Sequence, residues 1–209
     1  MKKFTPKIIL EGTRLTFKTE IVFALNKHPR IVGERKYRYH SPIISAEWCS
    51  FTNFPWGRGL INFSKDEEAK AMKTYETWLE LFELQKYYSW IIDRFHISTK
   101  VYQKIYNNRE YDFNSIEQRL TELGFHVVLL TRSAQSFKEA REERIKVSGN
   151  PSQYDDLDKF IFEQNIFIEE IQRSILPKFE IDISDNNISR VVEEISDWME
   201  RTGGLWAKD

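Results

Sequence analysis

The chain has 209 residues, 41% of them hydrophobic and 14% aromatic, with 31 basic against 32 acidic side chains and a net charge of -1. That length suits one α/β domain, and the balanced charge gives no global pull towards long nucleic acid or a membrane surface. A single cysteine, Cys49, excludes an internal disulfide and a multi-thiolate metal site, and the four histidines, His28, His40, His96 and His126, lack metal-ligand spacing.

Short β-rich apolar runs alternate with longer segments of helical period. Lys7–Glu11 reads as the first strand, followed by a helix over Thr19–Lys27 and a second strand over Arg30–Glu34. Lys36–Phe63, with its aromatics, Pro42 and Pro55, reads as an excursion from the sheet. A long helix over Lys65–Tyr88 carries Trp78, Leu79, Leu81 and Phe82, a candidate homodimer face. The third strand is Ser89–Arg94. A helix over Asn114–Leu123 follows, with Asn114 and Glu117 spaced as a capping box and Gly124 placed as a C′ glycine. Then come a strand over His126–Thr131, a helix over Ser133–Val147, a second excursion over Ser148–Tyr154, a helix over Asp155–Ile175, a strand over Phe179–Ser184 and a helix over Ile188–Arg201. The tail Thr202–Trp206 is expected to be loosely held. This alternation predicts βα units on a mainly parallel sheet, covered on both faces because the strand cores IILE, WIID and VVLL are apolar on both sides. No run approaches the ~20 uninterrupted apolar residues of a membrane helix, and Ile8-Ile9-Leu10 is too short for a signal-peptide core, so a cytoplasmic location is expected.

The first strand runs directly into Glu11-Gly12-Thr13-Arg14-Leu15-Thr16-Phe17-Lys18-Thr19, then into an apolar helical stretch. This is the context of the phosphate-binding loop G-x-x-x-x-G-K-[ST], with Phe17 in place of the second glycine. In such a loop, backbone N–H groups and a helix N-terminus cradle phosphates, the lysine reaches the outer phosphates and the hydroxyl holds Mg²⁺. Lys18 and Thr19 carry the residue types for those roles. With Asp93-Arg94-Phe95-His96-Ile97-Ser98 at the end of the third strand, the chain resembles the thymidylate kinase and deoxynucleoside kinase group of P-loop kinases. A third piece, Arg132 to Arg144, is similar to that group's lid.

The resemblance implies a three-layer α/β/α fold of the P-loop NTPase type, with five mainly parallel strands in one domain spanning 1–209. It makes 36–64 the acceptor side and 133–154 the lid. ATP and Mg²⁺ are the implied cofactors. Gly12, Arg14, Lys18 and Thr19 would bind the nucleotide, Thr19 and Asp93 the metal, and Arg94, Arg141 and Arg144 would neutralise charge on the transferred phosphoryl group. Asp185-Asn186-Asn187 takes the place of the loop that passes the adenine. On the acceptor side Glu34 is a candidate base for a nucleoside hydroxyl, whereas Arg35 and Arg38 suit a monophosphate. Trp48, Phe51, Phe54 and Trp56 are nearby aromatics able to stack on a base.

The loop departs from the group's pattern at Arg14, where an aspartate is usual, at Leu15, and at Phe17, where glycine is usual. Glycine serves there because the backbone comes close to the phosphates at φ values that cost a residue with a Cβ. Three readings remain open on sequence alone. One is a kinase of nucleosides or nucleoside monophosphates, another a non-catalytic kinase-fold binding protein, and the third a P-loop kinase of another small alcohol.

Overall fold

A computed structural model describes residues 3–32, 41–54 and 57–208. Five strands, β1 (Lys7–Glu11), β2 (Ile43–Ser45), β3 (Trp90–Asp93), β4 (His126–Thr131) and β5 (Lys178–Asp182), lie in the order β2-β3-β1-β4-β5, and every neighbouring pair is parallel. Side-chain alternation along the central strands divides the interior in two. Ile8, Leu10, Val128 and Leu130 pack with α1 (Lys18–Lys27) and α7 (Ile188–Arg201) on one face. Ile9, Ile92, Val127 and Leu129 pack on the other with α2 (Glu68–Leu84), α3 (His96–Asn107), α4 (Asn114–Glu122) and α6 (Leu157–Arg173). Helix α5 (Ser136–Ile145) lies outside both layers, beside the turn from β1 into α1. The three-layer α/β/α architecture and the parallel sheet agree with the sequence expectation.

Several elements differ from it. Ile31 and Val32 are buried, but they belong to a turn in which both amides donate to the His28 carbonyl, and the second strand is instead Ile43–Ser45. The two residues are apolar because they fill the α1–α7 core, not because they pair. Residues 33 and 34 of the expected strand lie outside the described residues. Helix α3 was not expected. Its inner face carries Ser98, Thr99 and Gln103, which bond to Glu11, to the Leu60 carbonyl, and to the Ile61 and Phe63 carbonyls, so only Ile97 and Val101 mark the buried face as apolar and its period is masked.

The capping box at Asn114 does not form: Asp112 accepts from the Asn114 amide, while Glu117 turns inward to His96 at 2.9 Å and to the Ile175 amide. Gly124 does end α4 in the left-handed region, at φ +84°. Of the four residues expected on a dimer face, Leu79 and Phe82 are in the core, Trp78 stacks on Phe95, and Leu81 alone is exposed. The C-terminal tail is pinned rather than loose, by a Phe4–Trp206 bridge and by Ala207 N–H donating to Lys3.

Candidate functional site

In register, Leu10 of β1 lies beside Asp93 of β3 and Glu11 beside Leu129 of β4, so the turn after β1 opens at the carboxyl edge of the sheet between two strands. That edge is where open parallel α/β sheets place their ligands. Gly12 begins the turn at φ +142°, where a Cβ would come within 2.7 Å of the Leu130 carbonyl oxygen, so glycine is required there. Leu15 at φ 65° and Phe17 at φ 48° then adopt left-handed backbone conformations. Such values cost a residue with a side chain about 1–2 kcal/mol each. The loop thus keeps a glycine-like path without the glycines.

The Phe17 carbonyl accepts from Ile21 as α1 begins, and no side chain caps the helix, so its first amides face the loop. Lys18 is buried and folds over the turn, donating to the Thr13 carbonyl at 2.6 Å and to Thr16 Oγ1 at 3.0 Å. Burial, reinforced by the Arg94 charge, holds its amine below the usual lysine range against the pull of Asp93, Glu47 and Glu11. Thr13 in turn donates to Glu163 of α6 at 2.5 Å, and Tyr106 of α3 donates to the same carboxylate.

At the end of β3, Asp93 is 3% exposed and accepts from Thr19 Oγ1 at 3.0 Å. Burial pushes its carboxyl above the ordinary range, opposed by Lys18 and Arg94. Its second oxygen, Oδ1, is buried without a hydrogen-bond partner. A carboxylate with an unused oxygen beside a hydroxyl fits Mg²⁺, which takes one or two protein ligands and completes its shell from water and substrate phosphate. Among the described residues no cluster of three or more His, Cys, Asp or Glu could hold a metal by itself.

Arg94, at φ 62°, donates through Nε to Glu47 at 2.9 Å and through Nη1 to Ser98 at 3.3 Å. Burial disfavours ionised Glu47, but Arg94, Lys18 and Arg14 outweigh it and hold the carboxyl below its ordinary range. Glu11 accepts from the Phe95 amide and the Ser98 hydroxyl, tying β1 to the start of α3.

Of the residues the sequence singled out, Lys18, Thr19, Asp93 and Arg94 converge on this edge, and Arg14 lies in the same loop. The two lid arginines diverge. Arg144 pairs with Glu20 in the first turn of α1 at 2.9 Å, whereas Arg141 bonds to the Tyr154 carbonyl and to Asp155, within the lid itself. Glu34, Arg35, Arg38 and Trp56 lie outside the described residues. Trp48 and Phe54 are exposed, and Lys70 lies over the Phe51 ring.

Three residues at the site were not picked out from sequence. Glu47 sits in the acceptor-side excursion, and nothing in its neighbours announces a partner 47 positions away. Glu163 occupies a helix with acids throughout. Arg132, noted only as the first residue of the lid run, is 2% exposed, donates to the Ser136 carbonyl and to Asn186, and lies over the Phe17 ring at 5.2 Å. Its signal was position, directly after a fully buried strand. Beside Phe17 is a small depression lined by Ile21, Ile183, Asn186 and Val191 among others.

Sheet order, the loop between β1 and α1, and the Lys18–Thr19–Asp93 arrangement define the fold of P-loop kinases. Solved structures bear this out. The chain is similar to the YorR protein of Bacillus subtilis in complex with phosphorylated GDP, with 18% identity, 93% of this chain and 95% of that one covered, and a TM-score of 0.63. It is similar to thymidylate kinase from Candida albicans, with 16% identity, 99% and 96% covered, and a TM-score of 0.54. A gluconokinase from Sinorhizobium meliloti follows with 13% identity, 96% and 95% covered, and a TM-score of 0.50. At these identities the likeness is one of fold. No protein-family model matches the sequence, and no curated protein resembles it closely. Among the described residues no helix is long and apolar enough to cross a membrane.

Proposed function

We propose that this protein is a kinase that transfers the terminal phosphoryl group of ATP to a nucleoside or nucleoside monophosphate. The observation that carries this reading is the loop backbone. Leu15, Phe17 and Arg94 all sit in the left-handed region around Lys18, Thr19 and Asp93, and the other non-glycine positive-φ residues described are asparagines, which tolerate it. Strain concentrated in bulky residues at one edge of the sheet is characteristic of a functional constraint.

In this reading the first amides of α1 and Lys18 bind the outer phosphates, and the lysine regains full charge as it exchanges the Thr13 carbonyl for an anion. Thr19 and Asp93 would hold Mg²⁺, which when bound would neutralise phosphate charge. Arg94, aimed by Glu47 and Ser98, faces the transferring group, and Arg144 reaches it from the lid by leaving Glu20. Arg14 supplies a further cation in the loop, and Arg141 joins only by releasing Asp155. On the acceptor side Glu34 activates a hydroxyl, or Arg35 and Arg38 bind a monophosphate. The acceptor oxygen forms its bond to the γ-phosphorus as the bond to the β–γ bridging oxygen breaks, and ADP leaves with that electron pair. Positioning and charge neutralisation supply most of the rate.

The test is phosphotransfer by the purified chain from ATP, with GTP in parallel because a similar structure holds a phosphorylated guanine nucleotide, to a panel of nucleosides and their monophosphates. Turnover of one acceptor supports the reading. Nucleotide binding with no turnover of any acceptor favours a kinase-fold binding protein, for which the side chains of Leu15 and Phe17 in the loop are the supporting observation. Turnover only with another small alcohol replaces the acceptor class.

A further inference from the structure

Leu15 and Phe17 stand where glycines would serve the backbone better, and their side chains are not idle. Leu15 is 4% exposed and packs in one cluster with Phe137 and Ala140 of α5, Tyr154 of the 3-10 turn Pro151–Tyr154, and Phe160 of α6, with Phe17 packed against the same cluster. Phe17 also lies under the Arg132 guanidinium at the root of the lid. Two ion pairs fix the arrangement at its edges: Arg144 to Glu20 joins α5 to α1, and Arg141 to Asp155 joins α5 to the residue that follows the 3-10 turn. From below, Glu163, one turn past Phe160, holds Thr13.

We infer that Leu15 and Phe17 are positioning residues that fasten the phosphate-binding loop to the lid, so that the loop's backbone conformation and the docking of α5 are one coupled equilibrium. The inference rests on reading Gly12–Thr19 as a phosphate-binding loop. Its physical basis is reciprocity. Leu15 packs in the cluster that α5 completes, and Phe17 is shared between that cluster and the α1–α7 core, so undocking the lid removes part of what holds the left-handed backbone and loosens the loop. Relaxing the loop removes the apolar surface on which the lid sits, by the same factor. A loop with glycines at both positions has no such side chains to join it to α5. In this chain a ligand that orders the loop also seats α5, and one that displaces α5 weakens the loop's grip on phosphate.

Hydrogen–deuterium exchange on the full chain, without nucleotide, tests the coupling from both sides. Leu15→Gly should raise exchange of the α5 amides about ten-fold while β4 and α4 are unchanged, although glycine relieves backbone strain at that position. Phe137→Ala, made in the lid, should raise exchange of the amides of residues 13–18 by a similar factor. The double variant should expose each region no more than the stronger single variant, and Leu15→Met should restore wild-type exchange. Effects confined to the mutated side, or fold-changes that multiply in the double variant, overturn the inference. Thermal stabilisation by Mg·ATP is read separately. If it is absent while the coupling holds, the fastening of loop to lid stands and the phosphate-binding reading fails.

Discussion

After α4 the chain reverses through Gly124 at φ +84°, whereas the turn from β1 into α1 carries Leu15 at φ 65° and Phe17 at φ 48°. At the first turn, local preference and tertiary structure agree: a glycine takes the left-handed position and only the Lys208 side chain lies near it. At the second they conflict, and the conflict is offset by burial of Leu15 against the lid, since fully burying such a side chain contributes about 1.5–3 kcal/mol against about 1–2 for the strained backbone. A turn satisfied by its own residues is independent of its surroundings. One satisfied by distant packing is tied to them.

The largest expected effect on this contrast comes from the lysine the strained turn presents. Lys18→Ala should lower phosphotransfer by about a thousand-fold or more and abolish stabilisation by nucleotide, measured by steady-state kinetics and thermal melts. Next is Gly12→Ala, which adds a clash with the Leu130 carbonyl to an unfavourable φ and should lower stability by about 3 kcal/mol in urea titration.

Lys7, at the start of the strand feeding this turn, supplies a pH test away from the site. Burial, with help from Lys208 and Lys86, pulls its amine down to about 8 from 10.5. Between those values the unfolded chain holds the extra proton, so stability rises with pH through that window. Lys7→Met should remove that rise and add about 3 kcal/mol at pH 7, followed by urea titration across pH 7 to 10.5. The smallest effect is expected at the relaxed turn, where Gly124→Ala should cost about 1 kcal/mol, with no change in nucleotide response.

The layers and four of the five strands were legible because their signals are local: two-sided apolar runs for β1, β3 and β4, alternating apolar residues for the edge strand β5, a glycine ending α4, and a strand-loop-helix context around Gly12. What escaped depends on distant partners. Ile31 and Val32 look like a strand but fill a core, and the real second strand is three residues long after Pro42. Helix α3 buries polar groups whose acceptors lie on other elements. At the site, Lys18, Thr19, Asp93 and Arg94 were readable from spacing and from the resemblance, while Glu47, Glu163 and the role of Arg132 emerge only when α6, the acceptor side and the lid meet the loop. The meaning of Leu15 and Phe17 was likewise hidden, since a substituted glycine looks the same in sequence whether the loop is lost or held from outside.

The central claim is that the turn around Leu15 and Phe17 still binds nucleotide phosphate. It is tested most directly by thermal melts of the wild-type chain and Lys18→Ala with and without Mg·ATP and Mg·GTP. At a hundredfold excess over the dissociation constant, bound nucleotide adds about 2.7 kcal/mol, so the wild type should melt about 5 °C higher or more with at least one of them, and Lys18→Ala should not respond. An unchanged wild-type melting temperature with both nucleotides contradicts the account.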